Sequence, residues 1–124
     1  MFNSNNRQEI QVRIGAIAAT GEYLAVVAGK KLRVLSAKVT DLGAQAASEA
    51  DYLEYQLKQN TVAVGTKKDN KAGTAALAAF SVSLGTAGYI DMAKGDNLTL
   101  VVTKQGNGAG TDLLLSLDCE VIGN

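Results

Sequence analysis

The chain has 124 residues, twelve basic and twelve acidic side chains, no histidine and one cysteine. This length corresponds to a single domain, and the zero net charge argues against nucleic-acid binding as the main role, because no positive field gathers phosphates. The lack of histidine excludes imidazole-dependent triads and histidine-ligated metals. A single cysteine excludes an intramolecular disulfide and a cysteine zinc site.

The N-terminal residues 1–8 are polar and rich in asparagine, with one aromatic side chain, Phe2. They are expected to form a flexible arm, which is either a disordered terminus or a segment that orders on a neighbouring subunit. The arm lacks the apolar core of a signal peptide, and no apolar run approaches the roughly 20 residues of a membrane helix. The chain is therefore expected to be made in a cytosol and to have no membrane partner, with residues 9–124 as one domain.

Strand periodicity begins directly after the arm. Ile10, Val12 and Ile14 alternate with polar residues, as in a strand with one buried face. Residues 44–50 are rich in alanine and favour a helix, but they are too few for a stable one, so a short helical or loop crossover is expected. Further strands are predicted in this half at residues 24–27, 32–42, 52–59 and 62–64, followed by a polar loop at 65–73.

The C-terminal third gives the clearest pattern. Apolar residues occupy every second position at Leu113, Leu115, Leu117, Cys119 and Val121. A strand places such residues on one face, whereas a helix cannot. Cys119 is accordingly interpreted as a small buried hydrophobic residue. Strands are also predicted at residues 80–84, 90–92 and 98–103, while 74–79 is ambiguous between loop and helix, and the glycine-rich residues 106–110 form a hairpin tip.

These eight or nine strands recur at intervals of about 8–12 residues without long helices between them. That spacing is typical of an all-β antiparallel sandwich or barrel and argues against parallel βαβ units. The predicted fold is therefore an all-β antiparallel β-sandwich of about eight strands.

Carboxylates are the only candidates for chemistry. Asp118 and Glu120 share one face of the last strand about 7 Å apart, a spacing that could suit acid–base catalysis of sugar hydrolysis. Calcium ligation by Asp69, Asp91 or Asp96 is a second option, although aspartate is common in turns for backbone reasons. Charges that face solvent or a subunit are favoured over both, so no catalytic residue, cofactor or metal site is predicted.

Several apolar residues fall on strand faces that should be wet. These residues are predicted to form a subunit interface, because apolar side chains on adjacent strands favour a buried contact over free solvent. The predicted interface residues are Val101, Leu114, Ile122 and Tyr52.

Residues 93–122, with Gly95-Asp96, a strand, a glycine loop and a closing strand, resemble the last strands of jelly-roll trimers such as tumour necrosis factor-like heads. In length, polar arm and alanine-, glycine- and threonine-rich loops, the chain resembles head decoration, or cement, proteins of tailed bacteriophages. This resemblance implies a jelly-roll-like sandwich on the outer capsid surface, a homotrimer, and the major capsid protein as partner. The residues expected to contact the capsid are Phe2, Asn3 and Arg7.

Two other functions remain open from the sequence. A phage fibre knob or carbohydrate-binding module would require an exposed aromatic platform from Tyr23, Tyr52 or Tyr89. A hydrolase would require Asp118 and Glu120 as its catalytic pair.

Overall fold

A computed structural model describes residues 6–124 of the chain and shows a sandwich of two antiparallel sheets. No α-helix occurs within this described range. The all-β sandwich predicted from periodicity is therefore confirmed. The strands are β1 (Arg7–Ile14), β2 (Gly21–Val27), β3 (Lys31–Asp41), β4 (Tyr52–Gln59), β5 (Val62–Asp69), β6 (Ala79–Ser81), β7 (Ile90–Met92), β8 (Asn97–Gln105) and β9 (Leu113–Gly123).

The strand order identifies the topology. The first sheet has the order β1-β9-β3-β6, with β7 also paired to β3, and the second sheet has the order β2-β8-β4-β5. Because β6 and β7 both pair with β3, they occupy one strand position in two pieces. The first strand then pairs with the last, the second with the next to last, and so on inward, which is the jelly-roll arrangement of eight strand positions.

Strand β9 lies at the centre of the first sheet, between β1 and β3. Its residues Leu113, Leu115, Leu117 and Cys119 are fully buried, and Val121 packs against the same core. The residues between them face outward because side chains alternate along a strand. The predicted core stripe is confirmed, including the burial of Cys119.

The second sheet contributes the opposite wall of the core. Leu53, Tyr55 and Leu57 of β4 and Leu98, Leu100 and Val102 of β8 are fully buried. The Tyr55 ring lies 5.2 Å from that of Phe80 across the sandwich. Burial of each large apolar side chain stabilises the fold by about 1.5–3 kcal/mol relative to exposure, so these two sheets hold each other together chiefly by apolar contact.

The two ends of the sandwich differ. The end that we call the loop end carries residues 15–20, 42–51, 70–78 and 106–112, whereas the other end carries short turns and the C-terminus. At the loop end, Ile17 bridges Gly110 and Gln45 bridges Thr74. Gly108 approaches the backbone of Tyr52 so closely that a Cβ would lie 2.8 Å from the Tyr52 nitrogen. The four loops therefore form one connected layer.

Several predicted boundaries change. Residues 44–50 are expected to form either a short helix or a loop, and the structure shows a loop. Their backbone hydrogen bonds to residues 71–74 replace the local bonds of a helix. Strand β5 extends through most of the predicted 65–73 loop, because residues 68 and 69 pair with β4 beyond a bulge. Strand β6 is shorter than the predicted 80–84. The predicted arm at 1–8 overlaps β1, which begins at Arg7, and residues 1–5 lie outside the described range.

Candidate interaction surfaces

Ion pairs between neighbouring strands cover the outer face of the first sheet. Arg7 donates to Asp118 at 2.5 Å and Arg13 donates to Asp112 at 2.9 Å. Each of these exposed pairs contributes about 0–1 kcal/mol to stability. Their main consequence is that positive and negative charges cancel locally on this face.

A third pair extends this pattern to the sheet edge. Arg33 donates two hydrogen bonds to Asp91, which sits opposite it on β7, and its guanidinium lies 4.3 Å from the centre of the Tyr89 ring. The hydrogen bonds from Arg33 lower the pKa of Asp91. Glu120 of β9 also lies directly opposite Arg33 in the β3–β9 pairing. The arginine is therefore surrounded by side chains of its own chain.

The two carboxylates proposed as a catalytic pair belong to this charged face. Asp118 is bound to Arg7, and Glu120 lies opposite both Arg7 and Arg33 in the strand register. A general acid in a glycosidase is kept protonated by apolar surroundings, whereas Asp118 is 43% exposed and paired with a guanidinium. The arrangement fits ion pairing rather than proton transfer to a sugar.

A shallow recess of about 340 Å³ lies on the same face. The recess is lined by Glu9, Ser36, Lys38, Ser116, Leu117 and Asp118. The recess exists because small serine side chains of neighbouring strands are ringed by longer charged ones. It has no buried polar group aimed into it, among the residues described, that would orient a ligand.

The predicted interface residues do not come together. Val101 and Tyr52 are on the outer face of the second sheet, whereas Leu114 and Ile122 are on the outer face of the first. The expected adjacency of β8 and β9 is wrong, because the connection between them crosses from the second sheet to the first, and residues 106–110 therefore do not form a hairpin tip. Leu114 and Ile122 are also about 26 Å apart along β9.

Part of the outward apolar surface is covered within the chain itself. Lys58 of β4 pairs with Glu22 of β2 across the intervening strand β8, where Thr99 and Val101 lie between them in register. Val101 is consequently only half-buried, not open to solvent. Intramolecular cover explains its apolar character without a second subunit.

The tyrosines proposed as an aromatic platform are on separate surfaces. Tyr23 packs against the core from β2, Tyr52 lies beneath Lys71 with the ammonium 4.6 Å from the ring centre, and Tyr89 stacks with Arg33. These three residues therefore do not form a common sugar-stacking surface.

The proposed calcium ligands are engaged in structural roles. Asp96 accepts hydrogen bonds from the Ala93 backbone, Asn60 and Gln59, and these bonds, led by that of Ala93, lower the pKa of Asp96. This carboxylate joins the 60–61 turn to the 93–96 turn. Asp69 accepts from the Lys71 backbone, and no group of three acidic, histidine or cysteine side chains with metal-binding geometry occurs in residues 6–124.

A surface that the sequence interpretation missed lies at the loop end. Residues 75–79, with the sequence Ala-Ala-Leu-Ala-Ala, are all exposed, and Leu77 is 71% exposed. We call these five residues the apolar loop. Runs of this kind on a free surface are unfavourable unless they serve an interaction. Leu77 also adopts a φ of 63°, a conformation that costs a leucine about 1–2 kcal/mol.

Asp41 holds the apolar loop in place from below. Its backbone carbonyl accepts from Leu77 N at 2.8 Å, and its carboxylate accepts from the Thr74 hydroxyl at 2.8 Å. The side chain is fully buried, and neither Asp41 Oδ1 nor the buried Tyr55 hydroxyl has a partner within the described structure. Burial raises the pKa of Asp41, and burial together with the charge on Asp41 raises the pKa of Tyr55. The loop is thus positioned by an unusually costly buried carboxylate.

No helix of residues 6–124 has the length and apolar character needed to cross a bilayer. Of the residues expected to contact a capsid, Phe2 and Asn3 lie outside the described range, while Arg7 is 39% exposed and bound to Asp118. The described part of that prediction therefore involves a side chain already paired within the chain.

No protein-family model and no curated protein matches the chain in sequence. Among solved structures, the chain is similar to one titled "Structure of infectious bursal disease virus Gx strain". The identity is 13%, the TM-score is 0.30, and the alignment covers 95% of this chain and 37% of that one. The chain therefore spans little more than a third of that protein, and a likeness at this level carries no functional argument.

Proposed function

We propose that the chain is a structural virion protein, a decoration or cement protein that binds the outside of a tailed-phage head and stabilises the shell as a homotrimer. The observation that carries the proposal is the exposed apolar loop on a jelly-roll sandwich. A rigid sandwich that presents a strained, uncharged loop fits a protein whose surface is completed by assembly. The partner is the major capsid protein, and the proposed role involves no catalytic step.

Mass action explains how such a protein would act. A ligand that binds only the assembled shell stabilises it by about 2.7 kcal/mol at a hundredfold excess over the dissociation constant. A trimer that binds through three equivalent sites gains further from effective concentration, so weak individual contacts suffice. Burial of one exposed leucine supplies about 1.5–3 kcal/mol to a contact.

Co-sedimentation with purified heads tests this proposal. Heads of the encoding virus, prepared without the protein, are mixed with the full chain at micromolar concentration. The release of packaged DNA on heating is measured in parallel. The chain should pellet with the heads and raise the temperature at which they open. A chain that stays in the supernatant and leaves the heads unchanged refutes the proposal.

A pair of leucines supplies a matched control for the apolar loop. Leu77→Lys places a charge on the loop, whereas Leu24→Lys places one on a 58% exposed leucine of β2. Leu77→Lys should weaken binding to heads at least tenfold, and Leu24→Lys should leave it within about twofold. Equal effects of the two substitutions would show that the loop has no special part in assembly.

The N-terminal segment is proposed as a second contact with the capsid. Removal of residues 1–5, which include Phe2 and Asn3, should lower the affinity for heads while the β1–β9 pairing and its Arg7–Asp118 bond keep the sandwich folded. Unchanged affinity of this truncated chain would restrict the capsid contact to the folded domain.

A further inference from the structure

Part of one lateral edge of the sandwich carries no charge. Residues 72–90 form the longest uncharged stretch of the chain, nineteen residues, and residues 59–66 form another of eight. The first stretch includes the apolar loop, β6 and the connection to β7, and the second includes the first half of β5. We call these two stretches the charge-free edge. The chain's charged residues all lie outside it.

The two stretches are contiguous in space. Gly65 of β5 packs against the 83–85 segment so tightly that a Cβ on Gly65 would collide with Ser83 and lie 3.0 Å from the Gly85 nitrogen. Val64 approaches the same segment, since a Cβ on Gly85 would lie 3.7 Å from its Cγ1. The first half of β5 and the β6–β7 connection therefore meet along one side of the sandwich and close it with small uncharged residues.

Much of this side is open to solvent. Eleven residues of 72–90 and six of 59–66 are exposed, including Val62 at 67% and Leu77 at 71%. A stable protein interface uses about 20–30 residues per partner, and seventeen exposed residues approach that size. Interface centres are also depleted of charged residues relative to the remaining surface. In size and composition, the edge matches a protein contact rather than free surface.

The edge also leaves strand backbone unprotected. Strand β5 pairs only with β4, so no other strand is hydrogen-bonded along its outer side. Lys67 and Lys68 protect the half nearest the loop end, as charged residues commonly do at sheet edges. The half from Val62 to Thr66 has no such charge. A natural protein that leaves an edge in this state generally covers it.

We infer that the charge-free edge is covered by a second copy of this chain, with the edge facing the symmetry axis of the oligomer. Around such an axis, copies of the same residue approach one another, and like charges there repel in a low-dielectric contact. An uncharged edge avoids that repulsion, whereas both sheet faces carry charges. The inference rests on the proposed function in taking the chain as a homotrimer, and it assigns the apolar loop to the contact between copies, so that the loop affects head binding through the trimer.

Single charges on the edge test the inference with the full chain and without heads. Ala63→Glu and Ala76→Glu each place a carboxylate at an exposed alanine in one of the two stretches, and Ala19→Glu does so at an exposed alanine of the 15–20 loop. Light scattering and sedimentation equilibrium measure mass between about 1 and 100 μM, and circular dichroism checks folding. The wild type and Ala19→Glu should form the same oligomer. For both edge variants, the concentration at which half of the oligomer is dissociated should be at least tenfold higher than for the wild type.

Three results would overturn the inference: a monomeric wild type throughout this range, edge variants that associate as the wild type does, or equal weakening by Ala19→Glu. Head binding separates this failure from that of the proposed function. If the edge variants are monomers and the wild-type oligomer does not bind heads, the contact between copies is supported and the decoration role is refuted. If a monomeric wild type pellets with heads and Ala76→Glu does not, the shell covers the edge and the self-contact falls.

Discussion

Replacement of Asp41 by asparagine tests the buried carboxylate beneath the apolar loop. The side chain is fully buried, one oxygen accepts from Thr74, and the other has no partner in the described structure. Burial raises the pKa of Asp41 in the folded state, so the folded state binds this proton more tightly than the unfolded state does. The free energy of unfolding therefore decreases as pH rises above about 4, the pKa of the carboxyl in the unfolded chain. The full destabilisation by the charged carboxylate is present once pH exceeds the pKa of Asp41 in the folded state.

Asparagine keeps an acceptor oxygen for the Thr74 hydroxyl and carries no charge at any pH. An unpartnered buried polar atom costs about 1–3 kcal/mol when neutral and more when charged, and the substitution removes only the charge, because the amide nitrogen of asparagine takes the place of the unpartnered Oδ1. We therefore expect Asp41→Asn to raise the free energy of unfolding by about 1–3 kcal/mol at pH 7. The gain should shrink as pH falls toward 4, because the wild-type carboxyl then takes up its proton.

Urea unfolding monitored by circular dichroism at several pH values between 4 and 8, with protein concentration held constant, measures this difference. Asp112→Asn is the control, because Asp112 forms an exposed pair with Arg13 and should change stability by no more than about 1 kcal/mol. A variant less stable than the wild type at pH 7, or a difference that does not vary with pH, would refute the reasoning about Asp41.

Three further predictions concern packing. Leu117→Ala should destabilise the fold by about 2–5 kcal/mol in urea unfolding, because Leu117 is fully buried at the centre of the first sheet. Gly108→Ala should cost about 1–3 kcal/mol since its Cβ would meet the Tyr52 backbone, whereas Gly15→Ala, with no atom within 4 Å, should be within about 1 kcal/mol of wild type. Maleimide should modify Cys119 at least about a hundredfold more slowly in the native protein than in urea at pH 7, because burial raises the pKa of Cys119 to about 11.

The outward residues of β9 show where prediction from sequence fails. Alternation correctly separated Leu115 and Leu117 from Leu114 and Asp118, because the direction of a side chain depends only on its position along the strand. It could not show that Val101 belongs to the opposite sheet or that Asp118 pairs with Arg7, 111 positions away. Those facts depend on which strands are neighbours, and periodicity carries no such information.

Two segments show tertiary contacts overriding local preference. Residues 44–50 favour helix, but Gln45 pairs with Thr74 across the loop end and the segment remains a loop. Residues 66–69 look like a polar loop, but they continue β5 because β4 offers backbone partners. In both cases, hydrogen bonds to a distant segment outweigh propensities of about 1 kcal/mol or less per residue.

The sequence alone predicts the all-β class, the core stripe of β9 and the burial of Cys119, and it contains the uncharged stretch at 72–90. Each of these follows from local periodicity or composition, which need no knowledge of distant partners. Only the folded molecule shows the jelly-roll order, the separation of the predicted interface residues, the burial of Asp41 and the exposure of the apolar loop. These depend on contacts between residues far apart in the chain, and such contacts form only when the two sheets close over a common core.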